Sequence, residues 1–195
     1  MPGFNINSFR SQMEFDGARP NLFNVAVDMS NLTLPNGAAA GRKISFMAKS
    51  AQLPGSTISS IPVYYFGREL KFAGNRSFAN WTLTIVNDED FIIRKAIEQW
   101  MNGINSHAGN VRASNLLSGT SYTTDGLVTQ YSKSGSAIKT YRMVGMYPED
   151  ISAIDLNWES NNSIEEFSVT FAYQWWETDS TDGVGGPIPA TTLGS

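Results

Sequence analysis

Few side chains in this sequence have the type and spacing that catalysis requires. His107 is the only histidine, and it lies in a run of Asn, Ser, Ala and Gly with no carboxylate close by in the sequence. A histidine acts as a general base only when a partner orients its ring and a substrate can reach it. We therefore interpret His107 as a loop residue and not as a catalytic base.

Two groups of acidic residues suggest other chemistry. Asp88, Glu89 and Asp90 could bind a hard cation, but the spaced oxygen ligands of a calcium loop are missing, so a helix start is the simpler interpretation. A glycosidase needs two carboxylates, and four surround one predicted hairpin: Asp155, Glu159, Glu165 and Glu166. We interpret these four as solvated turn charges. The sequence thus predicts no enzyme, no metal site and no cofactor.

Composition narrows the class of protein. The 195 residues, 41% of them hydrophobic, can bury one sizeable core. The 14 Lys and Arg residues are scattered, and 18 Asp and Glu residues make the formal net charge -4, which argues against ordinary nucleic-acid binding. The absence of cysteine fits a reducing cytoplasm. No apolar run approaches the roughly 20 residues that span a bilayer, so no membrane partner is expected.

The chain divides into one domain and two ends. Residues 1–17 lack periodicity and are predicted to form an amino-terminal arm, and residues 178–195 are rich in Gly, Pro and Thr and are predicted to form a flexible tail. Residues 18–177 hold the apolar residues of a single β domain. The stretches Leu34–Gly41 and Asn102–Gly126 are small and polar enough to be surface connections.

Apolar and polar residues alternate along most of the domain, which is typical of strands with one buried face. The predicted faces are Phe23, Val25, Val27 and Met29; Ile44, Phe46 and Ala48; Ile61, Val63 and Tyr65; Trp81, Leu83 and Ile85; Ile138–Met146; Ile154, Leu156 and Trp158; and Phe167–Trp175. Turn residues between these stretches predict hairpins. The fold class is therefore mainly β, with antiparallel sheets.

One segment has helical spacing instead. Ile93, Ile97, Trp100 and Met101 recur on one helical face, and Gly103 is a suitable end. We expect this to be a single amphipathic helix that flanks the sheets. The alternation assigns Trp81, Trp158 and Trp175 to core faces and leaves Trp176 on the opposite face of its strand. A large aromatic side chain on this second face predicts that the face is also covered, either by the helix or by another subunit.

Several short stretches of the chain are recognisable when they are taken in order. They run from Ala18–Phe23 through Lys49–Gly55, Ile61–Val63, Gly67–Arg68, Ala73–Phe78, Trp81–Thr84, Asn87–Asp90 and Gly145–Pro148 to Leu156–Glu165. Together they resemble the tail tube protein of contractile-tailed bacteriophages. The resemblance implies two packed antiparallel sheets that form a barrel-like sandwich with one flanking helix. It also implies hexameric rings that stack into a tube inside a contractile sheath, as a conduit for DNA ejection.

The resemblance implies partners and sites as well. The partners are further copies of the chain, the tail sheath protein, a baseplate tube initiator, a tail terminator, and viral DNA that passes through the lumen without specific binding. The location is the virion tail, assembled in the host cytoplasm. The expected inter-ring contact loop is Ala51, Gln52, Leu53, Pro54 and Gly55, and the candidate acids of the lumen are Asp28, Asp155, Glu159, Glu165 and Glu166.

Three alternatives remain open at this stage. The tube of a phage-like injection device or of a type VI secretion apparatus would have a similar fold but would pass protein instead of DNA. A carbohydrate-binding β-sandwich would be a monomer with exposed tryptophans that respond to sugar. An enzyme is the weakest alternative, because the sequence offers neither a histidine-centred site nor a phosphate-binding glycine loop.

Overall fold

The computed structural model describes residues 5–13 and 17–178, which form a mainly β fold with three α-helices. The strands are β1 (Phe23–Val27), β2 (Ala48–Ala51), β3 (Ser56–Tyr65), β4 (Arg68–Phe78), β5 (Trp81–Val86), β6 (Thr124–Tyr131), β7 (Ala137–Ile151), β8 (Glu166–Ala172) and β9 (Trp175–Thr178). The helices are α1 (Ile6–Gln12), α2 (Gly37–Met47) and α3 (Ile92–Ile104), with short 3-10 helices at Ser30–Leu32 and Ser114–Leu116. None of these helices is long and apolar enough to span a membrane.

Seven strands form one antiparallel sheet in the order β1-β6-β7-β8-β5-β2, and β9 pairs with β7 beside this path. The long strand β7 joins the two halves of the sheet, because its first part pairs with β6 and β9 and its last part pairs with β8. Gly145 has a φ of +66° between the two parts, and the β7–β8 register shifts between Pro148 and Asp150. Such irregularities let one strand bend from one part of a sheet into another.

The two ends of the strand order, β1 and β2, are not paired with each other, so residues 5–13 and 17–178 do not close the sheet into a barrel. The predicted antiparallel, mainly β class is confirmed. The expectation of one flanking helix is wrong. Helix α2 packs against β1, β5 and α3, and α1 has no buried residue.

Helix α2 is the largest departure from the sequence prediction. Leu34–Gly41 was expected to be a surface connection, and Ile44, Phe46 and Ala48 were expected to share a strand face. In the structure the helix begins at Gly37, buries Ile44 and leaves Phe46 86% exposed. The small residues permit close packing: a Cβ at Gly41 would lie 2.6 Å from the carbonyl oxygen of Val27 in β1.

Helix α3 confirms the predicted amphipathic helix. It buries Ile93, Ala96, Ile97 and Trp100, and it ends at Ile104, one residue beyond the expected Gly103. Its start also agrees with the acidic pattern, since the Asp90 carboxylate accepts the backbone N–H of Ile92 at 3.0 Å. The indole N–H of Trp100 donates to the carbonyl of Tyr122 at 2.7 Å, so this large buried side chain has its polar atom satisfied.

The core lies between the sheet and the helices. Trp81, Leu83 and Ile85 of β5 are buried at alternate positions, as predicted, and they pair with Phe171, Val169 and Phe167 of β8. The rings of Trp100 and Phe171 lie 6.2 Å apart and connect α3 to this layer.

The segment between β7 and β8 was predicted to contain a strand and a hairpin turn, but it is irregular. Leu156 and Trp158, which were assigned to the core face, are exposed, and Trp158 is fully so. Trp175 is 45% exposed, whereas Trp176 packs against the core. The assignment of Trp158 and Trp175 to the core and of Trp176 to the opposite face is therefore wrong.

The close approach of α2 to β1 gives a stability prediction. Replacing a helical glycine by alanine normally stabilises a helix by about 1 kcal/mol. We expect Gly41→Ala instead to lower the free energy of unfolding by about 1–3 kcal/mol, because the new methyl group meets rigid backbone. Urea denaturation of the two proteins would measure the difference.

Gly103→Ala in α3 is the matched control. Its methyl group would meet only the end of the Leu116 side chain, which can move aside, so we expect a change of less than about 1 kcal/mol. Equal effects of the two substitutions would contradict the close-packing explanation.

Candidate assembly surfaces

Strands β3 and β4 form an extended hairpin, residues 56–78, that is separate from the seven-stranded sheet. Its ladder runs from the pair Ser56–Phe78 to the pair Tyr65–Arg68, a length of about 30 Å. Every residue of β3 is exposed, and within β4 only Gly74 and Phe78 are partly buried. A two-stranded hairpin is marginally stable in water unless something covers it.

The extended hairpin carries an unusual number of exposed apolar side chains. Eight of them are each at least 46% exposed: Ile58, Ile61, Val63, Tyr64, Tyr65, Phe66, Leu70 and Phe72. The sequence pattern correctly predicted a strand at Ile61 and Val63, but residues 5–13 and 17–178 do not cover the face that these two side chains share. Exposed apolar side chains in this number make the extended hairpin a candidate interaction surface.

The turn of the extended hairpin also indicates an interaction surface. Phe66 and Gly67 have φ values of +45° and +81°, as the two central residues of a type I′ turn require. Asn is favoured at the first of these positions, and a bulky side chain there is strained. The Phe66 side chain is 93% exposed, so it contributes little to the core of its own subunit. An exposed aromatic side chain in a strained turn makes Phe66 a candidate contact residue.

The expected inter-ring contact loop, Ala51–Gly55, lies at the base of the extended hairpin. Its backbone is tied to the core by two tryptophans: the Trp81 indole donates to the carbonyl of Gln52 at 2.8 Å, and the Trp176 indole donates to that of Gly55 at 3.1 Å. Leu53 remains exposed between these anchors. The loop thus fixes where the extended hairpin leaves the domain.

The five candidate acids of the lumen do not form one group. Asp155, Glu159, Glu165 and Glu166 lie on residues 152–166, which we call the acidic segment, and Asp155, Glu165 and Glu166 line one cleft. Asp28 lies apart, at the end of β1. Within the described ranges 5–13 and 17–178, no hydrogen bond or ion pair joins Asp28 to the other four.

The local contacts of these acids differ. The side chain and the backbone N–H of Ser30 donate to Asp28 and hold the pKa of its carboxyl below the usual range. Glu166 pairs with Lys49 at 2.5 Å, and Glu165 accepts from the side-chain amide of Asn87 at 2.9 Å. Among residues 5–13 and 17–178, the carboxylates of Asp155 and Glu159 have no such hydrogen bond or ion pair. The acidic segment also exposes the apolar side chains of Leu156, Trp158 and Ile164.

The residues considered for catalysis and metal binding make contacts that hold a loop or two helices in place. His107 is exposed, and its Nδ1 lies 2.9 Å from the Asn102 side-chain oxygen. Lys43 of α2 pairs with both Asp88 and Asp90 at 2.6 Å, which raises the pKa of Lys43 and lowers the pKa of both carboxyls. These acids therefore join α2 to the start of α3. No cluster suited to a metal ion occurs in residues 5–13 and 17–178.

The fold of the described residues is similar to the folds of chains in solved structures. The fold is similar to a chain of the anti-feeding prophage tube-terminating cap, with a TM-score of 0.58 at 14% identity over 86% of this chain and 93% of that one. It is also similar to a chain of an extracellular contractile injection system sheath–tube complex, with a TM-score of 0.55 at 15% identity over 88% and 97% of the two chains.

Sequence comparison gives the family. The phage tail tube protein family matches residues 6–179, and the tail tube protein gp19 of Enterobacteria phage T4 is 31% identical over 163 residues, covering 83% of this chain and 92% of that protein. The tail tube protein of Serratia phage KSP90 is 23% identical over 86% and 93% of the two chains. The chain belongs to the phage tail tube protein family. The resemblance found in the sequence is confirmed, and the chain is a structural protein and not an enzyme.

The exposed turn of the extended hairpin should be dispensable for the stability of the isolated subunit. We expect Phe66→Asn to leave the free energy of unfolding unchanged or slightly higher, because Asn followed by Gly suits a type I′ turn. The buried Phe171 provides the comparison, since Phe171→Ala should cost about 3–5 kcal/mol. Denaturation at low protein concentration would measure both, and a large loss with Phe66→Asn would show that the turn packs within its own subunit.

Proposed function

We propose that this chain assembles into hexameric rings, and that the rings stack into the tail tube inside a contractile sheath, through which DNA leaves the virion. The observation that carries the proposal is the extended hairpin, whose apolar side chains are left exposed by the described part of the subunit. Membership of the tail tube family supports the same function. It also favours this function over the carbohydrate-binding and secretion alternatives.

The open sheet gives a physical reason for ring formation. Strands β1 and β2 end the sheet and present edges that are not paired with each other. Exposed edges favour pairing with other chains, and a closed arrangement of several subunits removes them. Head-to-tail contacts close into rings when the rotation between copies permits it. We propose that six copies close a ring through such contacts. The loop Ala51–Gly55 is proposed to lie in the contact between one ring and the next.

The proposed partners follow from the same assembly. They are the sheath around the tube, an initiator at the baseplate and a terminator at the far end, all joined in the host cytoplasm before the tail becomes part of the virion. In support, similar chains come from a sheath–tube complex, a sheath/tube terminator and a baseplate. Residues 1–17 are proposed as an arm outside the β domain. The tail, predicted as residues 178–195, is proposed to follow Thr178, because that residue is the last one of β9 and pairs with Tyr141 of β7.

Electron microscopy of the purified protein tests the assembly. We expect six-fold rings and stacked tubes with a central channel as the protein concentration rises. A variant in which Asn-Gly replaces residues 62–71 shortens the extended hairpin but keeps the β3–β4 pair Ile61–Phe72. It should fold and fail to form tubes. Persistent monomers of the unchanged protein, or normal tubes from the shortened one, would contradict the proposal.

A negative lumen would let DNA slide without binding, because repeated acidic side chains repel phosphate groups. We propose that some of the five candidate acids face the lumen, namely some of Asp28, Asp155, Glu159, Glu165 and Glu166. Asp28 gives the clearest test, because it stands apart from the acidic segment. Phage particles with Asp28→Lys should eject DNA more slowly than particles with the natural residue. Asp28→Asn is the control, since its side-chain oxygen can still accept from Ser30. Equal ejection rates from intact particles would contradict a role for Asp28 in the lumen.

A further inference from the structure

The extended hairpin and the acidic segment lie at opposite ends of the same two strands. The hairpin leads directly into β5 at Trp81, which pairs with Phe171 near the end of β8. The acidic segment ends at Glu166, which pairs with Val86 at the other end of β5. Strand β5 has six residues and spans about 20 Å. A copy displaced along these strands would therefore bring its extended hairpin to the acidic segment of its neighbour.

The two surfaces are opposite in charge. The extended hairpin carries three basic residues, Arg68, Lys71 and Arg76, and one acidic residue, Glu69, although the whole chain is net negative. The acidic segment carries four carboxylates and no basic residue. Because Glu165 and Glu166 already contact Asn87 and Lys49, Asp155 and Glu159 are the carboxylates available to a neighbour. Opposite charges of this kind steer association and set the register of a contact.

The two surfaces also match in their exposed apolar side chains. Tyr64, Tyr65 and Phe66 stand at the tip of the extended hairpin, and Leu156, Trp158 and Ile164 stand on the acidic segment. Trp and Tyr dominate the binding energy of protein interfaces when they become buried at the centre of a contact. A fully exposed Trp158 in the isolated subunit is therefore well suited to become such an anchor.

We infer that the extended hairpin of one subunit binds the acidic segment of the next copy, and this inference rests on the proposed tube assembly. The contact joins two different surfaces, so every subunit offers one of each and the interaction can repeat without limit. It assigns Asp155 and Glu159 to subunit contact and not to the lumen. Arg68 and Lys71, close to the turn, are the basic residues that we assign to these carboxylates. Lys71 pairs with Glu69 in its own hairpin at 3.9 Å, and it would exchange this long, exposed pair for the carboxylates of the neighbour.

Charge exchange between full-length proteins tests the inference. The hairpin variant carries Arg68→Glu and Lys71→Glu, and the segment variant carries Asp155→Lys and Glu159→Lys. Each alone places like charges in the contact, so the concentration needed for assembly should rise about tenfold or more. An equal mixture should assemble again, because each variant then meets its opposite charge on the other protein. Sedimentation velocity would measure the assembled fraction.

The control variant, with Arg19→Glu and Arg42→Glu, makes the same change in net charge as the hairpin variant but outside the extended hairpin, and it should assemble like the unchanged protein. Circular dichroism would show whether each variant is folded. Normal assembly of either charge variant alone, or failure of the mixture of folded variants, would overturn the inference while leaving the tube function intact. An unchanged protein that never assembles would instead overturn the tube function itself. Normal tubes with slowed DNA ejection in the segment variant would place its acids in the lumen.

Discussion

The structure depends on one constraint, which is that residues 5–13 and 17–178 leave the apolar side chains of the extended hairpin exposed. Within these residues its strands pair only with each other, and β3 is exposed along its whole length. Such a hairpin gains too little from its own ladder to be stable in water. We propose that contact with other copies of the chain supplies the free energy that orders it. The assembly, under this proposal, is the stable form of the extended hairpin.

The rest of the domain provides a rigid base for that contact. The core strands β5 and β8 are buried on alternate positions, and α3 packs its apolar face and Trp100 against them. Two tryptophans of this base, Trp81 and Trp176, hold the carbonyls of Gln52 and Gly55 where the extended hairpin begins. The packing of the core is thus connected by hydrogen bonds to the direction in which the hairpin leaves the domain.

The sequence predicts the regular parts of this fold well, because a core face and a helical face have clear periods. The strand at Trp81–Val86 and the helix through Ile93 and Trp100 follow from those periods. Alternation cannot show what covers a face, so Val63 and Trp158 were assigned to the core although they are exposed. Helix α2 was missed because glycines that permit close packing look like loop residues. The contact loop and the candidate acids followed only from the resemblance, since their roles belong to an assembly of chains.

Hydrogen exchange measured by mass spectrometry, on the dilute subunit and on assembled protein, tests the central claim most directly. The backbone amides of residues 56–78 should exchange rapidly in the subunit, because an uncovered hairpin opens easily. They should become strongly protected on assembly, while the amides of β5 and β8 are protected in both states. Rapid exchange of residues 56–78 in assembled protein would contradict the account, since the extended hairpin would then remain uncovered in the tube.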